Sequence, residues 1–146
     1  MIHILLLSHG PFCEGLLDSV EMISGSQKNL VAIPLNPGQS PDDYREKIDN
    51  QISSIPANDG LIVFCDLKGG TPYNISASLK SKYHFNLITG VNLPILISVL
   101  LSRNEQATVE NLTAVALTKE NSGIELIDLS EKGGKKHAKL SLNKNR

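Results

Sequence analysis

The chain has 146 residues, a formal net charge of −1 and a hydrophobic share of 40%, with only 4% aromatic residues. This length and composition fit one domain with a core of aliphatic side chains. No apolar run approaches the roughly 18–20 residues that cross a bilayer, and the N-terminus lacks the basic start and long apolar stretch of a secretion signal. The sequence therefore predicts a cytoplasmic protein without a membrane span.

The charge is distributed unevenly along the chain. Residues 132–146 carry six basic and no acidic side chains, whereas residues 1–131 hold eight basic and all fifteen acidic ones. An acidic body is a poor surface for nucleic acid, which is bound by basic patches. We therefore predict a folded domain over residues 1–130, a basic and disordered tail over residues 131–146, and no nucleic-acid partner.

The two cysteines, Cys13 and Cys65, form no CxxC pair and have no histidine or cysteine partner at metal-ligand spacing. We interpret them as small buried apolar side chains in a reducing compartment. The sequence predicts no metal site and no cofactor.

The first half of the chain alternates apolar runs with amphipathic helical patterns. Residues 2–7 form a continuous apolar run, typical of a parallel strand buried on both faces. A helix follows with Pro11 in its first turn and ends at Gly25, because proline suits a helix start and glycine a helix end. Strands are predicted at residues 30–35 and 61–65, separated by a helix that begins at Ser40-Pro41.

The second half continues the alternation. Thr71 is the predicted N-cap and Pro72 the first residue of a helix that runs to about Lys82. A strand at 85–89, a helix through Leu101, a helix over about 108–120 and a short last strand at 124–129 follow. Strands and helices joined by short loops predict an α/β fold: a doubly wound, mostly parallel sheet with strand order 2-1-3-4.

Polar residues gather where two of these strands end. His9 follows the first strand and Asp66 the third, and the predicted strand order makes these strands neighbours. Ligands in such sheets bind beyond the carboxyl ends of the strands, so we expect the two side chains to meet there. A carboxylate bonded to one imidazole nitrogen fixes the tautomer and leaves the other nitrogen free as a nucleophile or base.

Two predicted helix starts, at Pro11 and Pro72, open beside this pair. Their free N–H groups and dipoles favour an anion, above all phosphate. The glycines of the Gly69-Gly70 pair let backbone approach a ligand closely, and Thr71 adds a hydroxyl. A histidine beside an anion site predicts phosphoryl transfer through a phosphohistidine. The predicted catalytic residues are His9 and Asp66, and the predicted phosphate-binding residues are Gly10, Gly70 and Thr71.

Simpler interpretations of these residues exist. A lone histidine at a strand end is more often an ordinary polar surface residue, the glycine pair could make only a turn, and Asp66 could cap its own loop. None of these explains why all of them converge on one edge of the sheet. The sequence lacks the GK[ST] of a P-loop, the GxGxxG of a dinucleotide site and the GxSxG of a serine hydrolase.

Three stretches resemble the IIA domain of the mannose-class sugar phosphotransferase system, PTS. They are "LLLSHGPFCEGLLDSVEMISG", "IVFCDLKGGTPYN" and "ITGVNLPILISVLLSR". Their order and spacing fit the family over roughly residues 2–128, and Lys68 departs from it, because the family often has an aromatic or apolar residue there.

This resemblance implies a phosphoryl carrier. The family's active histidine matches His9, its hydrogen-bonding aspartate matches Asp66, and its hydroxyl residue at the helix start matches Thr71. The phosphocarrier protein HPr would donate the phosphoryl group, and a separate IIB protein would accept it and serve the membrane components IIC and IID. The resemblance also implies a homodimer in which the last strand, residues 124–129, packs onto the partner's sheet.

Two alternatives stay open at this point. A related fold serves as the phosphoryl-donor subunit of dihydroxyacetone kinase. A non-catalytic regulatory module that senses an anion is the other alternative, and it predicts no covalent phosphate on His9.

Overall fold

The computed structural model describes residues 1–130, and the predicted basic tail lies outside these residues. Strands and helices alternate along the chain as the apolar pattern predicts. They are β1 (Ile2–His9), α1 (Phe12–Ser24), β2 (Leu30–Leu35), α2 (Pro41–Ser53), β3 (Gly60–Cys65), α3 (Thr71–Leu79), β4 (Asn86–Thr89), α4 (Leu93–Ser102), α5 (Val109–Leu117) and a 3₁₀ turn (Lys119–Ser122).

The four strands form one parallel sheet in the order β2-β1-β3-β4, which confirms the predicted fold class and order. Strand β1 is central: Leu7 is aligned with Ile33 of β2 on one side and with Cys65 of β3 on the other. From β1 the chain adds β2 on one side of the sheet, and from β3 it adds β4 on the other side. The strand order therefore reverses between β1 and β3. This switch point sets the carboxyl ends of those two strands side by side.

Helices cover both faces of the sheet, so β1 is buried on both sides. Ile4 and Leu6 pack under α1, α4 and α5, whereas Leu5 and Leu7 pack under α2 and α3. All four side chains are 0–1% exposed. Burial of each of these side chains contributes about 1.5–3 kcal/mol to stability. A strand that is aliphatic on both faces gains this free energy on both faces only in the middle of the sheet. The cysteines predicted to be buried, Cys13 and Cys65, are both buried and free.

Helix α3 begins one residue earlier than the sequence predicts. Gly70 is the N-cap, with extended backbone angles (φ −86°, ψ 176°), and Thr71 is the first helical residue. The prediction that Thr71 caps this helix is therefore wrong, since no side chain makes a capping hydrogen bond there. The helix also ends at Leu79 rather than near Lys82, followed by a turn that is closed by the Lys82 N–H bond to the Leu79 carbonyl (3.0 Å).

The end of the described chain also differs from prediction. The helix predicted over 108–120 ends at Leu117, because Thr118 turns to an extended conformation (ψ 123°) before the 3₁₀ turn. Residues 124–129 form no strand within residues 1–130, and Ile124 and Leu126 are 86% and 95% exposed. The predicted last strand is thus absent from the single chain, because a strand needs a neighbouring strand to satisfy its backbone groups. Its exchange with a second subunit stays a prediction.

Arg103, which follows α4, ties together the far end of the sheet from His9. Its guanidinium donates to the carbonyls of Ile2 (3.1 Å), Asn29 (3.4 Å) and Lys28 (2.7 Å). Burial lowers the pKa of Arg103, and three carbonyls accept hydrogen bonds from its guanidinium. We expect Arg103→Ala to reduce the free energy of unfolding by about 2 kcal/mol, because the partly buried carbonyls of Ile2 and Asn29 lose a charged hydrogen-bond donor. Urea titration would measure this loss. Arg45→Ala is the control, since Arg45 is exposed and, among residues 1–130, its side chain bonds only the Ser78 hydroxyl. Equal losses for the two variants would contradict the prediction.

Candidate active site

His9 and Asp66 lie at the switch point of the sheet. His9 is the last residue of β1, and Asp66 comes directly after β3. Backbone bonds continue the sheet up to this edge: the Asp66 N–H donates to the Leu7 carbonyl (3.1 Å) and the Gly10 N–H to the Leu35 carbonyl (2.8 Å). The sheet itself therefore fixes the positions from which the two side chains extend.

The Asp66 carboxylate holds the imidazole and the backbone of His9 together. Its Oδ2 lies 2.7 Å from His9 Nδ1 and accepts the His9 backbone N–H at 2.9 Å, while Oδ1 accepts the Leu67 N–H at 2.8 Å. Partial burial favours the neutral acid, but these hydrogen bonds outweigh it and hold the pKa of Asp66 below its ordinary value. An ionised carboxylate only accepts hydrogen bonds, so in the neutral imidazole Nδ1 carries the proton and Nε2 presents its lone pair.

The open nitrogen faces solvent. The His9 side chain is 48% exposed and that of Asp66 13%, and Nε2 has no hydrogen-bond partner within residues 1–130. A neutral imidazole with Nδ1 bound and Nε2 open can act as a nucleophile or as a base. The predicted pairing of His9 with Asp66 is present in the structure.

The lowered pKa of Asp66 makes its contribution to stability depend on pH. Because the folded-state pKa lies below the ordinary value of 3.8, the contribution is complete above that value and is lost as pH falls through the folded-state pKa. We expect Asp66→Asn to be less stable than the wild type at neutral pH and the gap to narrow below about pH 4. Thermal unfolding across pH 3 to pH 7 would measure the gap, and a gap that widens in acid would contradict this assignment.

Gly70 is required by the imidazole itself. A Cβ at this position would lie 2.5 Å from His9 Cε1 and 2.8 Å from Nε2, so the ring rests against a glycine that has no side chain. The sequence predicts that this glycine allows a ligand to approach the backbone, but within the described chain the group that approaches is His9. The backbone of Gly70 is ordinary, so the requirement is for space and not for conformation.

The start of α3 lies next to the open nitrogen, because its N-cap is the glycine that touches the ring. The Asn74 N–H bonds the Gly70 carbonyl (2.9 Å), and Pro72 has no N–H. The N–H groups of Thr71 and Tyr73 have no partner within residues 1–130. Free N–H groups and the positive end of a helix stabilise an anion. Thr71 is the first residue of the helix that begins beside His9, and that it binds phosphate stays a prediction.

Gly10, predicted to bind phosphate, shapes the turn after His9 in this structure, and its binding of phosphate stays a prediction. Its φ of +55° is in the left-handed region that favours glycine, and its N–H is used by the Leu35 carbonyl. Gly10 therefore allows the chain to turn from β1 into α1 directly after His9.

Ser8 takes part in the same turn and was not predicted. Its side chain is fully buried, its hydroxyl accepts the Cys13 N–H at 2.8 Å, and it donates to the Gly10 carbonyl at 3.0 Å. The only signal in the sequence is a hydroxyl residue that interrupts an apolar strand five positions before the bonded N–H. Such a pattern is too common to assign a role without the structure.

Around the site, the described residues include an exposed lysine but no metal-binding cluster. Lys68 is exposed and lies two residues after Asp66. No three histidine, cysteine, aspartate or glutamate side chains in residues 1–130 lie close enough to hold a metal ion. None of the helices described is both long and apolar enough to traverse a bilayer.

Comparison with known proteins identifies relatives of this chain. A family model described as "PTS system fructose IIA component" matches residues 3–117. The PTS system fructose-specific EIIA component of Bacillus subtilis is 35% identical over 120 residues, which cover 80% of this chain and 82% of that protein. The PTS system mannose-specific EIIAB component of Escherichia coli is 30% identical over 127 residues, 86% of this chain but only 39% of that longer protein.

Solved structures give the same result. Phosphotransferase system component EIIA from Streptococcus agalactiae superposes with a TM-score of 0.78 and 33% identity, covering 86% of this chain and 96% of that one. The mannose/sorbose specific IIA subunit from Enterococcus faecalis has a TM-score of 0.78 and 28% identity, over 88% and 96% of the two chains. The chain belongs to the mannose-class EIIA family of the sugar phosphotransferase system.

Proposed function

We propose that this chain is a phosphoryl carrier of sugar uptake, which accepts a phosphoryl group on His9 from phospho-HPr and passes it to a separate IIB protein. The observation that carries the proposal is the 2.7 Å contact of Nδ1 with Asp66, which leaves Nε2 open beside the start of α3. IIB would in turn serve the membrane components IIC and IID, so this chain would contact the membrane complex only indirectly.

The chemical step follows from this geometry. The lone pair of Nε2 attacks phosphorus in line with the donor's phosphohistidine bond, and the donor nitrogen leaves with the electron pair of that bond. The positive charge that develops on the His9 ring is balanced by Asp66 through the proton on Nδ1, which stays in place. In transfer to IIB the roles are exchanged. The phosphohistidine of this chain is then the donor, and a nucleophile of IIB attacks the phosphorus.

Positioning and electrostatics supply most of the catalysis in phosphoryl transfer, because little covalent chemistry is left to the protein. The free N–H groups of Thr71 and Tyr73, with the Thr71 hydroxyl, would bind the oxygens of the transferred group. Gly70 keeps this helix start close to the ring, and Asp66 keeps the ring turned toward it. These residues need no metal ion or cofactor for the step proposed here.

A reconstituted relay tests the proposal. The protein is mixed with phosphoenolpyruvate, enzyme I and HPr, and intact mass follows an acid-labile, base-stable phosphate, after which a IIB protein is added. The proposal expects one phosphate on this chain and its loss to IIB. An anion-sensing module would gain no covalent phosphate, and a donor subunit of dihydroxyacetone kinase would transfer to that kinase and not to IIB. Either result would overturn the proposed function.

We also propose that the chain forms a homodimer through residues 124–129. Four apolar side chains of this segment, Ile124, Leu126, Ile127 and Leu129, are 59–95% exposed in the single chain, which favours burial against a second copy. We expect the chain to sediment as a dimer and the double change Leu126→Asp, Leu129→Asp to shift it toward monomer. Leu101→Asp, at another exposed apolar residue, is the control. A monomeric wild type would contradict the proposal.

A further inference from the structure

Two polar side chains are buried within residues 1–130, Ser8 and Ser76, and Ser8 is the one next to His9. Ser8 is 0% exposed, and its hydroxyl has a donor on one side and an acceptor on the other, the Cys13 N–H and the Gly10 carbonyl. The hydroxyl therefore spans the turn that carries His9, from the residue before it to the first turn of α1.

The turn has no other side chain that could do this. Helix α1 starts after Pro11, which makes no side-chain capping bond, so Ser8 supplies the cap from three residues further back. Gly10 is left-handed and would be held only by its N–H bond to Leu35 if the hydroxyl were removed. The Cys13 N–H and the Gly10 carbonyl would then both lose a partner inside the protein.

We propose that Ser8 is a positioning residue for His9, an inference that rests on the proposed function for its effect on transfer. His9 lies between Ser8 and Gly10, and its backbone N–H and its Nδ1 both reach the same oxygen of Asp66. Both bonds form together only for one orientation of the His9 backbone. The Ser8 hydroxyl sets that orientation, and with it the proton on Nδ1 and the open Nε2.

The first measurement is the tautomer of His9 in the unphosphorylated protein, by ¹⁵N chemical shifts of the imidazole nitrogens. The wild type is expected to show a protonated Nδ1 and a bare Nε2. We expect Ser8→Ala to mix the two tautomers and to slow phosphoryl acceptance from phospho-HPr by on the order of 10- to 100-fold, as misplacement of a reacting group does. Ser8→Thr keeps the hydroxyl and is expected to restore both the tautomer and the rate.

Thr108→Ala is the matched control. The Thr108 hydroxyl also caps a helix, accepting the Asn111 N–H at 3.1 Å, but it lies at the opposite end of the sheet, where the neighbouring Val109 packs against Gly60 of β3. Ser8→Ala is expected to lower the melting temperature more than Thr108→Ala, because the capping bond of Ser8 is buried and that of Thr108 is exposed. The tautomer and the rate are expected to change only in Ser8→Ala. If Ser8→Ala does not fold, Ser8→Cys, a weaker hydrogen-bonding side chain of similar shape, takes its place.

The outcomes separate this inference from the proposed function. A Ser8→Ala protein with a lower melting temperature but the wild-type tautomer would overturn the positioning role and show that Ser8 contributes only to stability. A wild type that accepts no phosphate would reject the proposed function, and the tautomer comparison would still decide whether Ser8 orients His9. Failure of Ser8→Thr to restore the tautomer would also count against the hydroxyl.

Discussion

His9→Asn is expected to abolish phosphoryl acceptance from phospho-HPr, to below about one-thousandth of the wild-type rate. The asparagine amide can still donate toward Asp66 as Nδ1 does, but it has no nucleophilic nitrogen where Nε2 stands. Stability should change little, by less than about 1 kcal/mol, because the ring is half exposed and Asp66 keeps two backbone N–H donors. Initial rates of phosphate incorporation and thermal melts would measure both effects.

The control for this variant is His84→Asn. His84 is exposed and lies just before β4, in the connection from α3. The His84→Asn protein should take up phosphate at the wild-type rate. A His9→Asn protein that still gained phosphate, or a His84→Asn protein that did not, would mean that another histidine is the acceptor.

Gly70→Ala is expected to slow the same reaction by on the order of 100-fold without unfolding the protein. Alanine adopts the backbone angles of Gly70 without strain, but its Cβ would lie 2.5 Å from His9 Cε1 and 2.8 Å from Nε2. The half-exposed ring can swing toward solvent, so the collision displaces the nucleophile from the start of α3 rather than opening the core. Initial rates of phosphorylation would measure the displacement of the nucleophile, and the melting temperature would measure any loss of stability.

Gly15→Ala is the matched glycine control. Gly15 is a helical residue of α1, and a Cβ there would have no atom within 4 Å. Alanine favours helix over glycine by roughly 1 kcal/mol, so this variant should be at least as stable as the wild type and equally active. Wild-type activity in Gly70→Ala would show that the contact of His9 with this glycine has no role in transfer.

Much of the fold could be predicted because the pattern of apolar residues has a direct physical cause. A run such as Ile4–Leu7 is stable only when both faces are covered, which makes β1 a central parallel strand. Parallel strands bring their carboxyl ends to one edge, so the proximity of His9 and Asp66 followed from the strand order alone.

The parts that were not predicted depend on contacts between segments distant in the sequence or on a single atom. The role of Gly70 depends on the side-chain orientation of His9, sixty-one positions earlier, and the role of Ser8 on one hydroxyl in an otherwise apolar strand. Threonine is a residue type favoured at helix N-caps, but the residue with extended backbone angles is Gly70, so Gly70 is the N-cap and Thr71 is the first helical residue. The segment 124–129 has the apolar character of a strand but no partner strand within residues 1–130.

The central claim is that Nε2 of His9 carries the phosphoryl group, and the most direct test is to locate the phosphate. The protein is phosphorylated by enzyme I, HPr and phosphoenolpyruvate, and the modified atom is identified by ³¹P and ¹⁵N spectroscopy of the intact protein. The account predicts one phosphate, bonded to Nε2 of His9, with Nδ1 still protonated toward Asp66. A phosphate on Nδ1, on another residue, or on none would contradict it.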